Sequence, residues 1–180
     1  MMHLSKDQLL ALLREAKKNS NRDWLLFAVC YLHGLRITEG LDLTPADVRD
    51  GFITVQRQKG SMKTTQPLVV HTDELLNERE ALERMCIGKL PHERIFTFGK
   101  GEGEWRRIQA WRLFQRYGAL AGIPSHLLHP HILKASCGMA IISKGIEHCR
   151  QYLGHRSIAS TGAYLKVSDD VASKAVQGDL

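Results

Sequence analysis

The sequence has no apolar run that approaches the roughly 18 residues needed to cross a bilayer, which argues against a membrane-spanning protein. Its first residues also lack the basic stretch followed by an apolar stretch that marks a secretory signal. We therefore expect a cytoplasmic protein without a membrane partner.

Cysteine is scarce, with four residues in a chain of 180. Three of them lie among apolar residues, as is typical of reduced thiols packed as small hydrophobic side chains. Their wide spacing fits neither a disulfide framework nor a zinc site. The four positions are Cys30, Cys86, Cys137 and Cys149.

Acidic residues are fewer than basic ones, giving a formal charge of +6 and a pI near 9.3. This excess attracts polyanions but does not distinguish nucleic acid from anionic lipid or from no partner at all. The basic residues are dispersed, so a basic surface must be assembled by folding. The tryptophans form no interleaved stripe of the kind that stacks single-stranded bases; they are Trp24, Trp105 and Trp111.

The chain also lacks internal repeats and low-complexity linkers. Its apolar content of 43% is enough to bury one ordinary core. We predict one domain over residues 1–180.

Helices are predicted from capping signals and apolar periodicity. Ser5 and Gln8 form a capping box before a helical pattern of leucines. Asn21 is predicted to cap a second, mostly apolar helix that ends before Gly34. Thr38 is predicted to cap a short third helix.

Two β-branched stretches, Phe52–Arg57 and Gln66–His71, predict a hairpin around a polar tip at 59–61. The fold class is therefore α+β, mainly helical with a small antiparallel sheet. The remaining predicted elements are a helix from Thr72, a strand over Arg94–Phe98, a helix over Trp105–Leu120, and helices from Leu133 interrupted near Gly145 and Gly154.

Tyr164 is the most informative residue, because it follows His155 by nine positions and lies downstream of a second histidine, His131, and several cations. A phenolate can attack a phosphodiester when other side chains bind and protonate the phosphate. Two of these residues also have a purely structural interpretation. His155 could be a packed histidine, and Tyr164 could be an amphipathic tyrosine near a helix end.

Five segments carry a resemblance to a known family, in the same order and with similar spacing. They are Gly34–Glu39, the hairpin from Lys59 to Pro67–Leu68, His129–Lys134, Leu153–His155, and Tyr164. With these segments the chain resembles the catalytic domain of the tyrosine recombinases, also called phage integrases. The sequence around Arg36 and His155 is similar to that of short recombinases that invert fimbrial promoter switches. Those also lack a separate N-terminal core-binding domain, and we expect none here.

The resemblance implies site-specific DNA recombination, whether integration, excision or inversion, through a 3′-phosphotyrosyl intermediate formed by Tyr164. Arg36 would bind phosphate oxygens, although it could also be a surface arginine paired with Glu39, which would orient local structure. His131 and His155 would contact the phosphate or transfer the tyrosine proton.

Lys59 would protonate the departing 5′ oxygen, and Lys63 competes for this role. We prefer Lys59 because it lies eight residues before Pro67, which matches the register of the family.

The chain departs from the family at Lys134 and Ala135, where most members carry Arg and His. Lys134 keeps the positive charge without the two-pronged contact of arginine. The alternative function is therefore a catalytically weakened recombinase fold that binds DNA or regulates. A plain helical transcription factor fits the charge but explains neither the hairpin nor Tyr164.

No cofactor is expected, because the phosphotyrosyl bond conserves the energy for religation. Three close histidines, His126, His129 and His131, suggest zinc, but the intervening proline and the absence of a distant ligand pair argue against a metal site. The resemblance further implies double-stranded DNA recombination sites as partner, a homotetramer on DNA and nucleoid association, with the segment after Tyr164 packing on a neighbouring protomer. The sequence itself predicts a short helix over 167–176.

Overall fold

The computed structural model describes residues 2–58, 61–99 and 103–165. Its elements are α1 (Lys6–Asn19), α2 (Asn21–Leu32), α3 (Ile37–Leu41), β1 (Val48–Arg49), β2 (Phe52–Val55), β3 (Thr64–Pro67), α4 (Arg79–Cys86), α5 (Glu104–Leu120), α6 (His131–Ile141), α7 (Ile146–Leu153) and α8 (Ala159–Gly162). Short 3₁₀ turns lie at Pro45–Asp47, Ser125–Leu127 and Ile142–Lys144.

Helix α2 lies at the centre because its residues from Asp23 to Cys30 are all buried. It packs between α1 and α6, while α1 also packs on α5. Phe27 of α2 meets Phe114 of α5 edge to face, with ring centroids 5.3 Å apart. The predicted mainly helical core is confirmed.

The capping prediction for α1 is confirmed, since Ser5 accepts from the Gln8 amide and the Gln8 side chain accepts from the Ser5 amide. Two other caps are displaced. Ser20, not Asn21, caps α2, and α3 begins directly after Arg36 rather than at Thr38.

The sheet is antiparallel with strand order β1-β2-β3, and β2 pairs with β3. The prediction that the second hairpin strand covers Gln66–His71 is wrong: the ladder ends where Phe52 faces Pro67, which has no amide to extend it. The third strand is β1, not the predicted Arg94–Phe98. Within that stretch Ile95 and Phe96 are both buried, so the segment fills the core and does not alternate as a strand would.

The prediction of a helix from Thr72 is also wrong, because α4 begins at Arg79. Asp73 makes a local turn in which its carboxylate accepts from the Leu75 amide. The helix over Trp105–Leu120 and the interruptions near Gly145 and Gly154 are confirmed by α5, α6, α7 and α8. In the described ranges no helix is long and apolar enough to cross a membrane.

The four cysteines are free, and three are buried, as expected for reduced thiols. Cys137 and Cys149 form a small apolar cluster with Leu153 beside α6 and α7, and Tyr164 packs against it. This cluster supports the side of the fold where the candidate catalytic residues meet.

Candidate active site

Arg36 lies at the junction between α2 and α3. Gly34 makes the turn with φ +59°, and a Cβ there would collide with Leu153. The Arg36 side chain is 32% exposed, and its Nη1 donates to Glu39 Oε1 at 2.9 Å and to Ser61 Oγ at 3.5 Å. Within the described residues, Nε and Nη2 make no hydrogen bond. The pairing with Glu39 that belongs to the alternative interpretation of Arg36 therefore exists, and it leaves one edge of the guanidinium open for phosphate oxygens.

Glu39 is a buried carboxylate that collects donors from two segments. It accepts from the Arg36 amide, from Arg57 Nη1 at 3.3 Å and from the Gln58 amide at 3.2 Å, in addition to Arg36 Nη1. Burial opposes its ionisation, but these backbone bonds and the charges of Lys134 and Arg57 outweigh that effect and lower the pKa of Glu39. A permanently charged Glu39 is suited to orienting Arg36.

Helix α6 presents His131 and Lys134 one turn apart, which places them on the same side. His131 is exposed, and partial desolvation together with the charges of Arg36 and Lys134 lowers its pKa. Lys134 is only 2% exposed, and its ammonium donates to the Leu153 carbonyl at 3.1 Å. Burial, followed by the charges of Arg57 and Arg36, lowers the pKa of Lys134 to about 8. Lys134 thus supplies positive charge from beneath the site.

His155 follows the end of α7, where Gly154 adopts a left-handed conformation with φ +70°. A Cβ at Gly154 would come within 2.7 Å of the Met62 carbonyl, so a side chain has no room there. His155 Nδ1 lies 3.0 Å from Thr161 Oγ1. Burial and the nearby charge of Lys134 lower the pKa of His155 to about 4, so the imidazole is neutral at physiological pH.

Tyr164 lies just beyond α8 and is half-buried. Its ring stacks on the His155 ring at a centroid distance of 6.4 Å and rests on Gly138, where an added Cβ would collide with the tyrosine Cε1. Burial, with smaller contributions from Cys149 and Cys137, raises the pKa of Tyr164 to about 12. The phenol therefore needs a proton acceptor before it can attack.

Five of the six predicted site residues, from three distant parts of the sequence, are thus brought to one region. They are Arg36, His131, Lys134, His155 and Tyr164. Lys59 lies outside the described residues, as does the predicted helix at 167–176, and Lys63 is exposed on the hairpin. In the described part of the chain, no group of three or more side chains could hold a metal ion.

Sequence reasoning missed Arg57, a buried arginine that contacts the turn before Arg36, Thr64 of β3 and the end of α7. The sequence signal was a cation just after a β-branched stretch, two residues before Lys59.

The sequence profile of the phage integrase family matches residues 2–170. The chain belongs to the phage integrase family. A similar member is the type 1 fimbriae regulatory protein FimE of Escherichia coli K12, 34% identical over 153 residues, which cover 79% of this chain and 73% of FimE.

Solved structures of phage integrase relatives share the fold. The crystal structure of XerA recombinase superposes with a TM-score of 0.72 at 22% identity, covering 99% of this chain and 63% of XerA. A lambda integrase tetramer bound to a Holliday junction gives a TM-score of 0.68 at 19% identity, covering 90% of this chain and 47% of that chain. The chain therefore spans less than two thirds of these two proteins.

These matches confirm the expected phage integrase family and its catalytic fold. The family match, together with 28% identity over 178 residues to the tyrosine recombinase XerA of Pyrococcus furiosus, confirms the enzyme class, a tyrosine-type site-specific DNA recombinase. The roles of the individual site residues stay predictions, as does the assignment of residues 1–180 to a single catalytic domain.

Proposed function

We propose that this chain catalyses site-specific DNA recombination by cleaving and religating strands through a 3′-phosphotyrosyl bond at Tyr164. The observation that carries the proposal is the stacking of Tyr164 on a neutral His155, with the open edge of Arg36 in the same region.

Phosphate binding is the task of Arg36 in this proposal. Negative charge builds on the non-bridging oxygens in the transition state, and a guanidinium already held by Glu39 stabilises it without reorganising. The imidazole of His131 adds a hydrogen bond to the same oxygens, which leaves the free ring nitrogen of His155 for the phenol proton.

Cleavage forms a bond between the Tyr164 oxygen and phosphorus and breaks the bond from phosphorus to the 5′ oxygen. The phenol proton passes to a neutral imidazole, for which His155 is adjacent. Lys59 is the proposed donor of a proton to the leaving oxygen, with Lys63 as the competing candidate. Religation is the reverse attack by a 5′ hydroxyl, so it needs no nucleotide cofactor.

A second candidate function, a DNA-binding regulator with weakened cleavage, is favoured by one observation. The Lys134 ammonium is engaged with the Leu153 carbonyl and is almost inaccessible, so it cannot reproduce the two-pronged phosphate contact of an arginine. Losing one such donor typically slows a reaction by about 100- to 1,000-fold.

The proposed partners are double-stranded DNA recombination sites and further copies of this chain. The lambda integrase relative is a tetramer on a Holliday junction. Four protomers of this chain would likewise bring two duplexes together and exchange their strands in two pairs. We place this activity in the cytoplasm, at the nucleoid.

Trapping the covalent intermediate tests the proposed function. Nicked duplexes with randomised half-sites lose the short strand after cleavage, so a phosphotyrosyl adduct accumulates and is seen by denaturing electrophoresis. We expect an adduct with the wild type and none with Tyr164→Phe, which retains the ring that packs on Gly138. Saturable duplex binding without any adduct would support the regulator instead.

A further inference from the structure

Arg57 is a cation with no solvent-accessible side-chain surface, and it follows strand β2. All three nitrogens of its guanidinium donate hydrogen bonds, and all its acceptors lie within the fold. The bonds are Nε to Thr64 Oγ1 at 3.1 Å, Nη1 to Gly34 O at 2.8 Å and to Glu39 Oε2 at 3.3 Å, and Nη2 to His33 O at 2.9 Å and to Tyr152 O at 3.2 Å.

These acceptors belong to separate segments that carry the candidate catalytic residues. The carbonyls of His33 and Gly34 lie in the turn that sets the direction of Arg36. The carbonyl of Tyr152 lies in the last turn of α7, which presents His155. One rigid fork thus spans the two segments, which are far apart in the sequence.

The end of α7 needs such donors, because the last carbonyls of a helix have no partner within it. The Tyr152 carbonyl accepts from Arg57 and from Gln66 Nε2, and the Leu153 carbonyl accepts from Lys134. Positive charge at a helix carboxyl end is also favourable electrostatically. The ion pair with Glu39 compensates the burial of the Arg57 charge.

We propose that Arg57 is a positioning residue for strand cleavage: its guanidinium fixes the Arg36 turn relative to the end of α7 without touching DNA. This inference rests on the proposed recombinase function. Because the side chain is inaccessible, Arg57 acts through the alignment of Arg36 and His155 and does not itself contact phosphate.

Arg57→Lys is the decisive variant, because it keeps the charge beside Glu39 but loses the planar fork. The wild-type carbonyls of Gly34 and Tyr152 accept from two different nitrogens of the fork, and an ammonium has a single nitrogen. We expect the rate of adduct formation at saturating nicked duplex to fall about 100-fold, as small misplacements of reacting groups do. Half-saturation should change less than about twofold, and the slope of affinity against salt should stay the same, since no phosphate contact is lost.

Arg106→Lys is the matched control. Arg106 is a second buried arginine whose guanidinium donates to the Leu41 carbonyl and to Asp42, neither of which is a candidate site residue. We expect it to cleave at the wild-type rate once the folded fraction, measured by urea unfolding, is taken into account. Equal rates for Arg57→Lys and the wild type would overturn the proposal, as would equal losses in the two variants or a shallower salt slope for Arg57→Lys.

Thr64 provides a second pair of variants in case Arg57→Lys does not fold. Thr64→Val removes only the acceptor of Nε, and Thr64→Ser restores a hydroxyl. We expect cleavage to fall about 10-fold in Thr64→Val and to recover in Thr64→Ser, with duplex binding unchanged in both. If Thr64→Val cleaved at the same rate as the wild type, the proposal would be contradicted.

Amide hydrogen exchange measures, without DNA, how firmly the end of α7 is held. The His155 amide donates to the Arg150 carbonyl at the end of α7, and we expect it to exchange at least about 10-fold faster in Arg57→Lys but not in Arg106→Lys. Unchanged exchange overturns the inference. A wild type that forms no adduct instead overturns the proposed function, so the two failures are distinct.

Discussion

Lys134→Met is expected to make the protein more stable and the enzyme slower. The lysine is 2% exposed, and burial, followed by the charges of Arg57 and Arg36, lowers its pKa from 10.5 to about 8. A depression of this size corresponds to about 3 kcal/mol of lost stability at pH 7, where the amine is charged. Methionine has a similar length and no charge, but it leaves the Leu153 carbonyl without its donor at a cost of about 1–2 kcal/mol. The net gain is therefore about 1–2 kcal/mol.

Urea unfolding from pH 7 to pH 10 measures this difference. Above pH 8 the native amine loses its proton while the unfolded chain still binds one, so wild-type stability rises with pH relative to Lys134→Met. The slope approaches about 1.4 kcal/mol per pH unit, and the advantage of the variant should disappear near the ordinary lysine pKa. Cysteine titration above pH 9 occurs in both proteins and differs only at Cys137 and Cys149, whose pKa values the charge of Lys134 lowers. Lys144→Met, at an exposed lysine, should change stability by less than about 0.5 kcal/mol.

One result would refute the reasoning: a Lys134→Met protein several kcal/mol less stable than the wild type at pH 7, with the same pH dependence. Removing one partner of a buried pair costs about 3–5 kcal/mol when the remaining charge depends on it. That outcome would mean that losing the attraction between Lys134 and Glu39 costs more than is gained by no longer burying the ammonium. Adduct formation by the variant should nevertheless fall about 100-fold or more, because a cation beneath the phosphate is lost.

Three further predictions concern neighbouring positions. Gly138→Ala should lower the cleavage rate about 100-fold by displacing the Tyr164 ring, while stability changes little because alanine favours the helix. Gly162→Ala is the control: its added Cβ meets nothing, so it should not lower the cleavage rate. Wild-type stability should fall by about 2 kcal/mol as the pH drops from 6.5 towards 4, because the unfolded chain protonates His155 first, and thermal unfolding of His155→Asn should show a smaller loss. Lys134→Arg should accelerate adduct formation and, because the site is filled, lower stability by about 1–3 kcal/mol in urea.

Elements with strong local signals could be predicted from the sequence. The capping box at Ser5 and the glycines near the ends of α6 and α7 act through neighbouring atoms, so their effect can be read from adjacent residues. The helix expected from Thr72 failed for a tertiary reason. The turn at Asp73 depends only on neighbouring residues. The start of α4 is set instead by the Glu78 carboxylate just before it, which is bound to His33 and to the Val69 amide.

The site could be predicted to a similar extent. The resemblance to the tyrosine recombinases, carried by motifs in the family's order, identified the five candidate residues that come together, and each has a side chain suited to phosphate chemistry. Arg57 could not be found in this way, because most of its acceptors are backbone carbonyls, and a carbonyl has no residue type to recognise. The burial of Lys134 was equally hidden, because it arises only when α6 packs against the end of α7.

The candidate site draws its parts from near both ends of the described chain, Arg36 at one and Tyr164 at the other. With the proposed roles, a nascent or truncated polypeptide that contains only one of them would have the phosphate ligand without the nucleophile, or the reverse. Cleavage of DNA would then require the complete tertiary structure, and half-made or degraded copies of the enzyme would not nick a chromosome.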